Sequence, residues 1–341
     1  MFEYVVYGLA ISSDVALPQL NPLESPENLE GCPCVRLRLK PPQYQRIHAA
    51  EWFHSYAAPD GRPALRQAKV AGGYLLSFPD LADFFVAQNG LEVTCCWPYA
   101  HGSIETICHL ALDQVIPCVA NLLGLLALHA TAVLTPHGVC GFMGSSGVGK
   151  STLAASFDLA GYPAFCDDCL VVVERGREML AEPGYASVRL WEDSARSLLG
   201  ESAADHPALG HYTNKRGVEG AAAADTLTIP RRRTPLVAIY HLTREVPDKA
   251  DGESGAASKH QAPQREAPSI AELSAREVFA QLLRTTYRLD TTDQAMLRRE
   301  FKALHSLVDR IPVRRLHLPS DFDALPAVRE IVLNDLARIG R

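Results

Sequence analysis

A chain of 341 residues, 47% hydrophobic and 21% charged, is longer than one ordinary domain and carries ample material for buried cores. Its formal net charge of -6 argues against a nucleic-acid binder driven by phosphate neutralisation. Nine cysteines, an odd number without an extracellular framework pattern, predict reduced thiols; Cys166-Asp167-Asp168-Cys169 has C-x-x-C spacing, but Cys32-Pro33-Cys34 is wrongly spaced to complete a zinc knuckle with it.

The N-terminus, Met1 to Val6, lacks a basic and an apolar signal region, so a cytoplasmic protein is expected. Residues 1–102 read as a β-rich module suited to substrate recognition. Phe2, Tyr4 and Val6 share one strand face, and Val35, Leu37 and Leu39 alternate with Arg36, Arg38 and Lys40. Asn89-Gly90 between two β-prone runs predicts a hairpin.

Residues 103–341 read as a catalytic domain of α/β class. Ser103 to Leu126 predicts a helix with a polar start but no complete capping box. No Asp, Glu, Lys or Arg occurs from Gln114 to Gly149, a run long enough to span a membrane. Pro117, Asn121, His129 and the turn Pro136-His137-Gly138 divide it instead into a buried helix and two core strands, His129–Leu134 and Gly138–Met143, and no membrane partner is expected.

The second of these strands feeds Gly144-Ser145-Ser146-Gly147-Val148-Gly149-Lys150-Ser151-Thr152, which satisfies G-x-x-x-x-G-K-[ST]. Glycines let backbone N–H groups turn toward a β-phosphate, Lys150 reaches the β and γ oxygens, and the Ser151 hydroxyl serves magnesium at a helix N-terminus. The expected cofactors are therefore ATP or GTP with Mg2+. A helix from Ser151 to Ala160, stopped by Gly161, completes the strand–loop–helix order.

A strand predicted from Ala164 through Val173 carries Asp167 and Asp168, whose adjacent carboxylates should project to different sides. Asp167 is the expected metal ligand with Ser151, and Asp168 the expected base for an attacking hydroxyl. His129 opens the preceding strand, either as a site residue or as a core histidine. A further cation over the transferred phosphoryl is sought among Arg189, Lys215, Arg216, Arg231, Arg232, Arg233 and Arg288, although the clusters Arg231–Arg233 and Arg314-Arg315 read by default as solvated surface. Tyr185 and Trp191 suit either base stacking or core packing.

Beyond residue 245 the segment Val246 to Ser269 is too polar and Pro/Gly-rich to bury, and reads as a mobile loop. Ser274-Ala275-Arg276-Glu277 is a capping box, and helices follow over Thr292–Asp309 and Ala324–Ile339.

Leu128-His129-Ala130-Thr131-Ala132-Val133, Gly144 to Thr152, and Phe165-Cys166-Asp167-Asp168 together resemble the catalytic domain of HPr kinase/phosphorylase, closely over residues 125–175 and weakly to about 240. The resemblance implies an HPr-kinase-like P-loop domain, a mixed sheet with flanking helices, behind the smaller β-rich domain. It places His129 near the transferred phosphate, Lys150 and Ser151 on the nucleotide and metal, and Asp167 and Asp168 on magnesium and the acceptor serine. The downstream E-x-R-G-x-G segment of that family has no counterpart; Glu182-Pro183-Gly184-Tyr185 and Arg189-Leu190-Trp191 stand there instead, so the resemblance does not extend to phosphorolysis or to HPr as acceptor. Tyr7-Gly8-Leu9 and Leu17-Pro18-Gln19-Leu20 look more like the relatives found with peptide-maturation systems, among them the lasso-peptide precursor kinases. The expected partner is thus a peptide or protein bearing a serine hydroxyl, its C-terminal serine by analogy. The alternatives are a small-molecule kinase related to phosphoenolpyruvate carboxykinase and a non-catalytic nucleotide sensor. The sequence leaves the oligomeric state open.

Overall fold

A computed structural model describes residues 1–21, 31–49, 51–57, 61–98, 103–185, 187–199, 215–219, 232–244 and 267–339. Eight strands come first: β1 (Phe2–Val6), β2 (Leu9–Ser13), β3 (Cys34–Arg38), β4 (His54–Ala57), β5 (Pro63–Val70), β6 (Gly73–Phe78), β7 (Ala82–Ala87) and β8 (Glu92–Pro98). They form one sheet in the order β1-β2-β3-β8-β7-β6-β5-β4, antiparallel except where β3 lies parallel to both β2 and β8. The predicted alternation holds in β3, with Val35 and Leu37 buried and Arg36 exposed. Gly90, at φ +73, closes the β7–β8 hairpin, and the Asn89 side chain accepts the Leu91 N–H at 3.0 Å.

The inner face of that sheet is covered by α1 (Ile104–Leu110) and α2 (Ile116–Leu122), joined without interruption by a π-helical turn, Ala111–Val115. Ser103 caps α1 by accepting the Thr106 N–H. The helix predicted to run to Leu126 stops at Leu122, and Leu126 instead opens a strand. The reason is at Gly124, where φ is +90 and the helix cannot continue.

Nine further strands build a branched mixed sheet. They are β9 (Leu126–Leu128), β10 (Ala130–Thr135), β11 (Gly138–Met143), β12 (Ala164–Cys166), β13 (Leu170–Arg175), β14 (Glu178–Glu182), and, beyond a separate hairpin of β15 (Ser187–Trp191) and β16 (Lys215–Glu219), β17 (Thr234–Thr243), β18 (Ser269–Glu272) and β19 (Val313–His317). The path is β12-β10-β11-β17-β14-β13-β9, with β19 added to β17 and β18 to β19. Ten residues make β17 long enough to serve as the branch point: Thr234 and Pro235 pair with β14, and later residues pair in parallel with β11 and β19.

Helices α3 (Lys150–Asp158) and α7 (Leu325–Ile339) bury their apolar sides against β11, β17 and β19, where the Phe142 ring lies 5.5 Å from Phe157 and 6.3 Å from Tyr240. Each such fully buried side chain contributes about 1.5–3 kcal/mol. Helices α5 (Ala275–Thr285) and α6 (Gln294–Arg310) pack on another part of the sheet through Val278, Leu282, Leu304 and Leu307, while α4 (Glu192–Leu199) lies beside α3. The capping box at Ser274 and Glu277 forms as predicted. The loop expected over 246–269 falls outside the described residues up to 266; Ser269 begins β18. No helix among the described residues is long and apolar enough to cross a membrane.

A second expectation needs correction. The strand predicted from Ala164 to Val173 is broken at Asp167–Cys169, so that β12 pairs with β10 and β13 pairs with β9 and β14. Opposite the break, His129 separates β9 from β10. The antiparallel register is Leu128 with Leu170 on one side and Ala132 with Cys166 on the other. Residues 129–131 therefore face 167–169 across a gap where both runs change ladder together.

Candidate active site

The phosphate-loop motif sits where β11 ends. Gly147 has φ +80 and Gly149 has φ +113, conformations that L side chains seldom adopt, and both turn the chain into the start of α3. Gly149 is the N-cap of α3 and offers no side-chain acceptor to the first helical N–H groups, and a helix N-terminus of this kind favours an anion. Lys150 is buried, and its ammonium lies over the loop, donating to the Gly144 carbonyl at 3.0 Å and the Ser145 carbonyl at 3.3 Å. Ser145 and Ser146 are exposed, whereas Val148 turns its side chain into the core and contributes backbone alone. Thr152 donates to Ser194 at 3.0 Å, tying α3 to α4.

Asp167 and Asp168 occupy the break between β12 and β13. The Asp167 carboxylate is 1% exposed, and its Oδ1 accepts from Thr131 Oγ1 at 2.8 Å, Ser151 Oγ at 3.0 Å and the Asp168 N–H at 3.1 Å. Asp168 has φ +59 at the centre of a three-residue turn closed by the Cys169 N–H on the Asp167 carbonyl at 2.8 Å. A non-glycine residue there costs about 1–2 kcal/mol, and aspartate tolerates it better than most. The turn sends the two carboxylates apart: Asp167 toward Ser151, Asp168 toward the cleft. Burial pushes the flanking thiols of Cys166 and Cys169 well above their usual range.

The donor geometry suits magnesium. With its hydroxyl proton directed at Asp167, Ser151 keeps both oxygen lone pairs for a cation, and a carboxylate stands beside it. Mg2+ takes hard oxygen ligands, usually one or two protein groups with waters and phosphate oxygens, and Ser151 with Asp167 fits that demand.

Two clefts converge here. The smaller, about 480 Å³, is lined by Gly147, Gly149, Lys150, Ser151, Thr152 and Arg244. The larger, about 680 Å³, runs from His129 and Asp168 to the N-terminal sheet, where Tyr56, Leu65, Phe78 and Leu81 form an apolar wall. Gln114, His129, Ser146 and Asp168 line both. His129 therefore lines both clefts and does not lie in the core alone. Its Nδ1 lies 3.1 Å from the Tyr287 hydroxyl, which also reaches the Asp168 carbonyl at 3.0 Å.

The proposed cations divide. Arg288 lines the larger cleft but is committed to Glu300, its Nε at 2.7 Å from Oε1. Arg233 pairs with Glu182 at 2.5 Å and Arg232 is exposed. Arg231 and the side chains of Arg189, Trp191, Lys215 and Arg216 lie outside the described residues. Of the pair read as solvated surface, Arg315 binds Glu277 at the exposed rim, but Arg314 is half-buried against Asp335, which also accepts from Tyr240 at 2.7 Å. Tyr185 is buried 6.3 Å from the Tyr7 ring, which is core packing.

Three residues at the site escaped sequence reading. Thr131 holds Asp167, Tyr287 holds His129 and Asp168, and Arg244 lies beside Gly149. Arg244 has a signal in retrospect. It directly follows β17, the parallel neighbour of the phosphate-loop strand, and Met143 pairs with His241, so Arg244 emerges at the level of the loop.

No protein-family model matches the chain, and no curated protein matches it. Among solved structures it is similar to the HPr(Ser) kinase/phosphatase from Coxiella burnetii, with a TM-score of 0.30 and 12% identity over 62% of this chain and 93% of that one. A likeness of that size carries no argument about function, which rests on the site.

Proposed function

We propose that this chain is a magnesium-dependent phosphotransferase that moves the γ-phosphoryl group of ATP to a serine hydroxyl of a peptide or protein. The observation that carries the reading is the convergence of a phosphate-binding cleft and a second, larger cleft on one shared boundary containing His129, Ser146 and Asp168. The backbone of residues 144–149 and the Lys150 ammonium would hold the β and γ phosphates, and Arg244 would add positive charge beside them. Ser151 and Asp167 would hold magnesium, which neutralises charge on the phosphate oxygens. Asp168 would accept the proton of the acceptor hydroxyl as its oxygen bonds to the γ phosphorus. The bond from that phosphorus to the β–γ bridging oxygen breaks, and ADP retains the electron pair.

The apolar wall of the larger cleft favours an acceptor with side chains to bury over a compact polar metabolite. Together with the resemblance at Tyr7-Gly8-Leu9, it supports a precursor peptide of the lasso type as acceptor. A nucleotide sensor would need neither the second cleft nor Asp168 at its mouth.

The test is Asp168→Asn. Incubation with ATP, serine-bearing peptides and hydroxyl metabolites, followed by mass spectrometry, should show transfer reduced by about 10²- to 10⁴-fold with nucleotide affinity intact. Transfer within a few-fold of wild type would remove Asp168 as the base.

A further inference from the structure

Tyr287 comes from a segment remote in sequence from every motif of the site. The stretch Thr285–Tyr287 pairs with Ala127–His129: the His129 N–H reaches the Thr285 carbonyl at 2.5 Å, the Tyr287 N–H reaches the Ala127 carbonyl at 2.9 Å, and Leu128 bridges Thr286. The loop is also tied to the N-terminal sheet. Gln67 Nε2 donates to the Arg288 carbonyl at 3.2 Å, and Lys69 lies 3.6 Å from the buried Asp290 carboxylate.

These ties place one phenol among three polar atoms, with His129 Nδ1 at 3.1 Å, the Asp168 carbonyl at 3.0 Å and the Asp113 carbonyl at 3.2 Å. Proton counting decides the arrangement. A phenol has one hydrogen and a carbonyl oxygen can only accept, so a hydrogen shared between the two carbonyls leaves the phenolic oxygen to accept from Nδ1, whereas a hydrogen given to Nδ1 would leave both carbonyls facing a bare oxygen. The arrangement that serves all three contacts therefore has the hydrogen on Nδ1 of His129. In the neutral ring the basic lone pair consequently lies on Nε2.

We infer that Tyr287 is a positioning residue: it fixes His129, which lines both clefts, as the Nδ1–H tautomer with Nε2 the basic atom of the ring, and it pins the strained Asp168 peptide so that the carboxylate stays at the cleft. Burial first, and then the neighbouring Cys169 and Asp168, raise the Tyr287 pKa well above the ordinary phenol range, which keeps the hydroxyl protonated. The tautomer assignment rests on the contacts of Tyr287 and not on turnover. Its kinetic consequence rests on the phosphotransferase reading.

The experiment compares wild type with Tyr287→Phe, which keeps the ring and removes the oxygen. Long-range 1H–15N spectra of the full, uniformly labelled chain, with His129→Gln to assign the signal, report which ring nitrogen is protonated without needing turnover. Wild-type His129 should show a protonated Nδ1 and an unprotonated Nε2, and the variant a mixture of tautomers. In peptide transfer the variant should lose kcat by about tenfold or more, part of what a positioned acid–base group contributes, at an unchanged KM for ATP. A wild-type ring found as Nε2–H, an unaltered ring in the variant, or an unaltered kcat overturns the inference. If wild type transfers phosphoryl to no acceptor, the kinase reading fails while the ring spectrum still decides the role of Tyr287.

Discussion

Replacing Thr131 by valine removes one buried hydroxyl and almost nothing else, since the side chain is fully buried in β10 and valine keeps its shape. That hydroxyl donates to Asp167 Oδ1 at 2.8 Å, shorter than the bonds that oxygen accepts from Ser151 at 3.0 Å and the Asp168 N–H at 3.1 Å. A hydrogen bond to an ionised group is worth about 1.5–3 kcal/mol, and the carboxylate, 1% exposed, has little water to replace it. For 341 residues the unfolding entropy is about 0.7 kcal/mol/K, so the melting temperature should fall by roughly 2–4 °C. The functional effect should exceed the structural one, because Asp167 loses a bond that aims it at Ser151. Partners that orient a metal ligand typically matter by about 10- to 100-fold in metal affinity. Titrating Mg2+ into the protein with a fluorescent ATP analogue should show that loss, while affinity for the metal-free nucleotide stays within about twofold. Equal magnesium dependence in Thr131→Val and wild type would refute the claim that Thr131 orients Asp167, the proposed metal ligand.

Gly149→Ala tests the phosphate cradle. At φ +113, with a new Cβ 3.2 Å from the Arg244 guanidinium, alanine costs about 1–3 kcal/mol unless the loop shifts, and a shifted loop should bind nucleotide about 5- to 150-fold more weakly by calorimetry. Unchanged affinity would mean that the loop does not use this conformation for binding. His241 tests a pH effect on stability. Burial first, and then Arg315 and Arg284, hold its pKa below the usual 6.5, so below that pH the unfolded chain binds the extra proton. Stability should be complete above about pH 6.5 and fall as the pH drops toward the folded value; His241→Gln should flatten the urea midpoint over that range. An equally steep decline in the variant would place the pH dependence elsewhere.

The features legible in the sequence are those whose physics is local. Nine adjacent residues make the phosphate-loop motif, because glycine adopts the positive φ of Gly147 and Gly149 most readily and the helix that follows needs no distant partner to begin. The Asn89-Gly90 hairpin and the Ser274–Glu277 capping box were readable for the same reason: donor, acceptor and turn lie within four residues. Asp167 and Asp168 could be picked out as a pair, but not the break they occupy. Ala164 to Val173 is apolar on both sides of them and would suit one strand equally well; the separate pairing of β12 with β10 and of β13 with β9 divides it.

Long-range contacts also decided the rest of the site. Thr131, Tyr287 and Arg244 belong to it through a cross-strand hydroxyl, a segment 158 residues from His129, and the parallel register of β17. Arg288 and Arg233, equally plausible as cations in the sequence, are bound to Glu300 and Glu182. An arginine's charge is written in its own residue type, whereas the carboxylate that claims it is brought near only when strands and helices distant along the chain pack together.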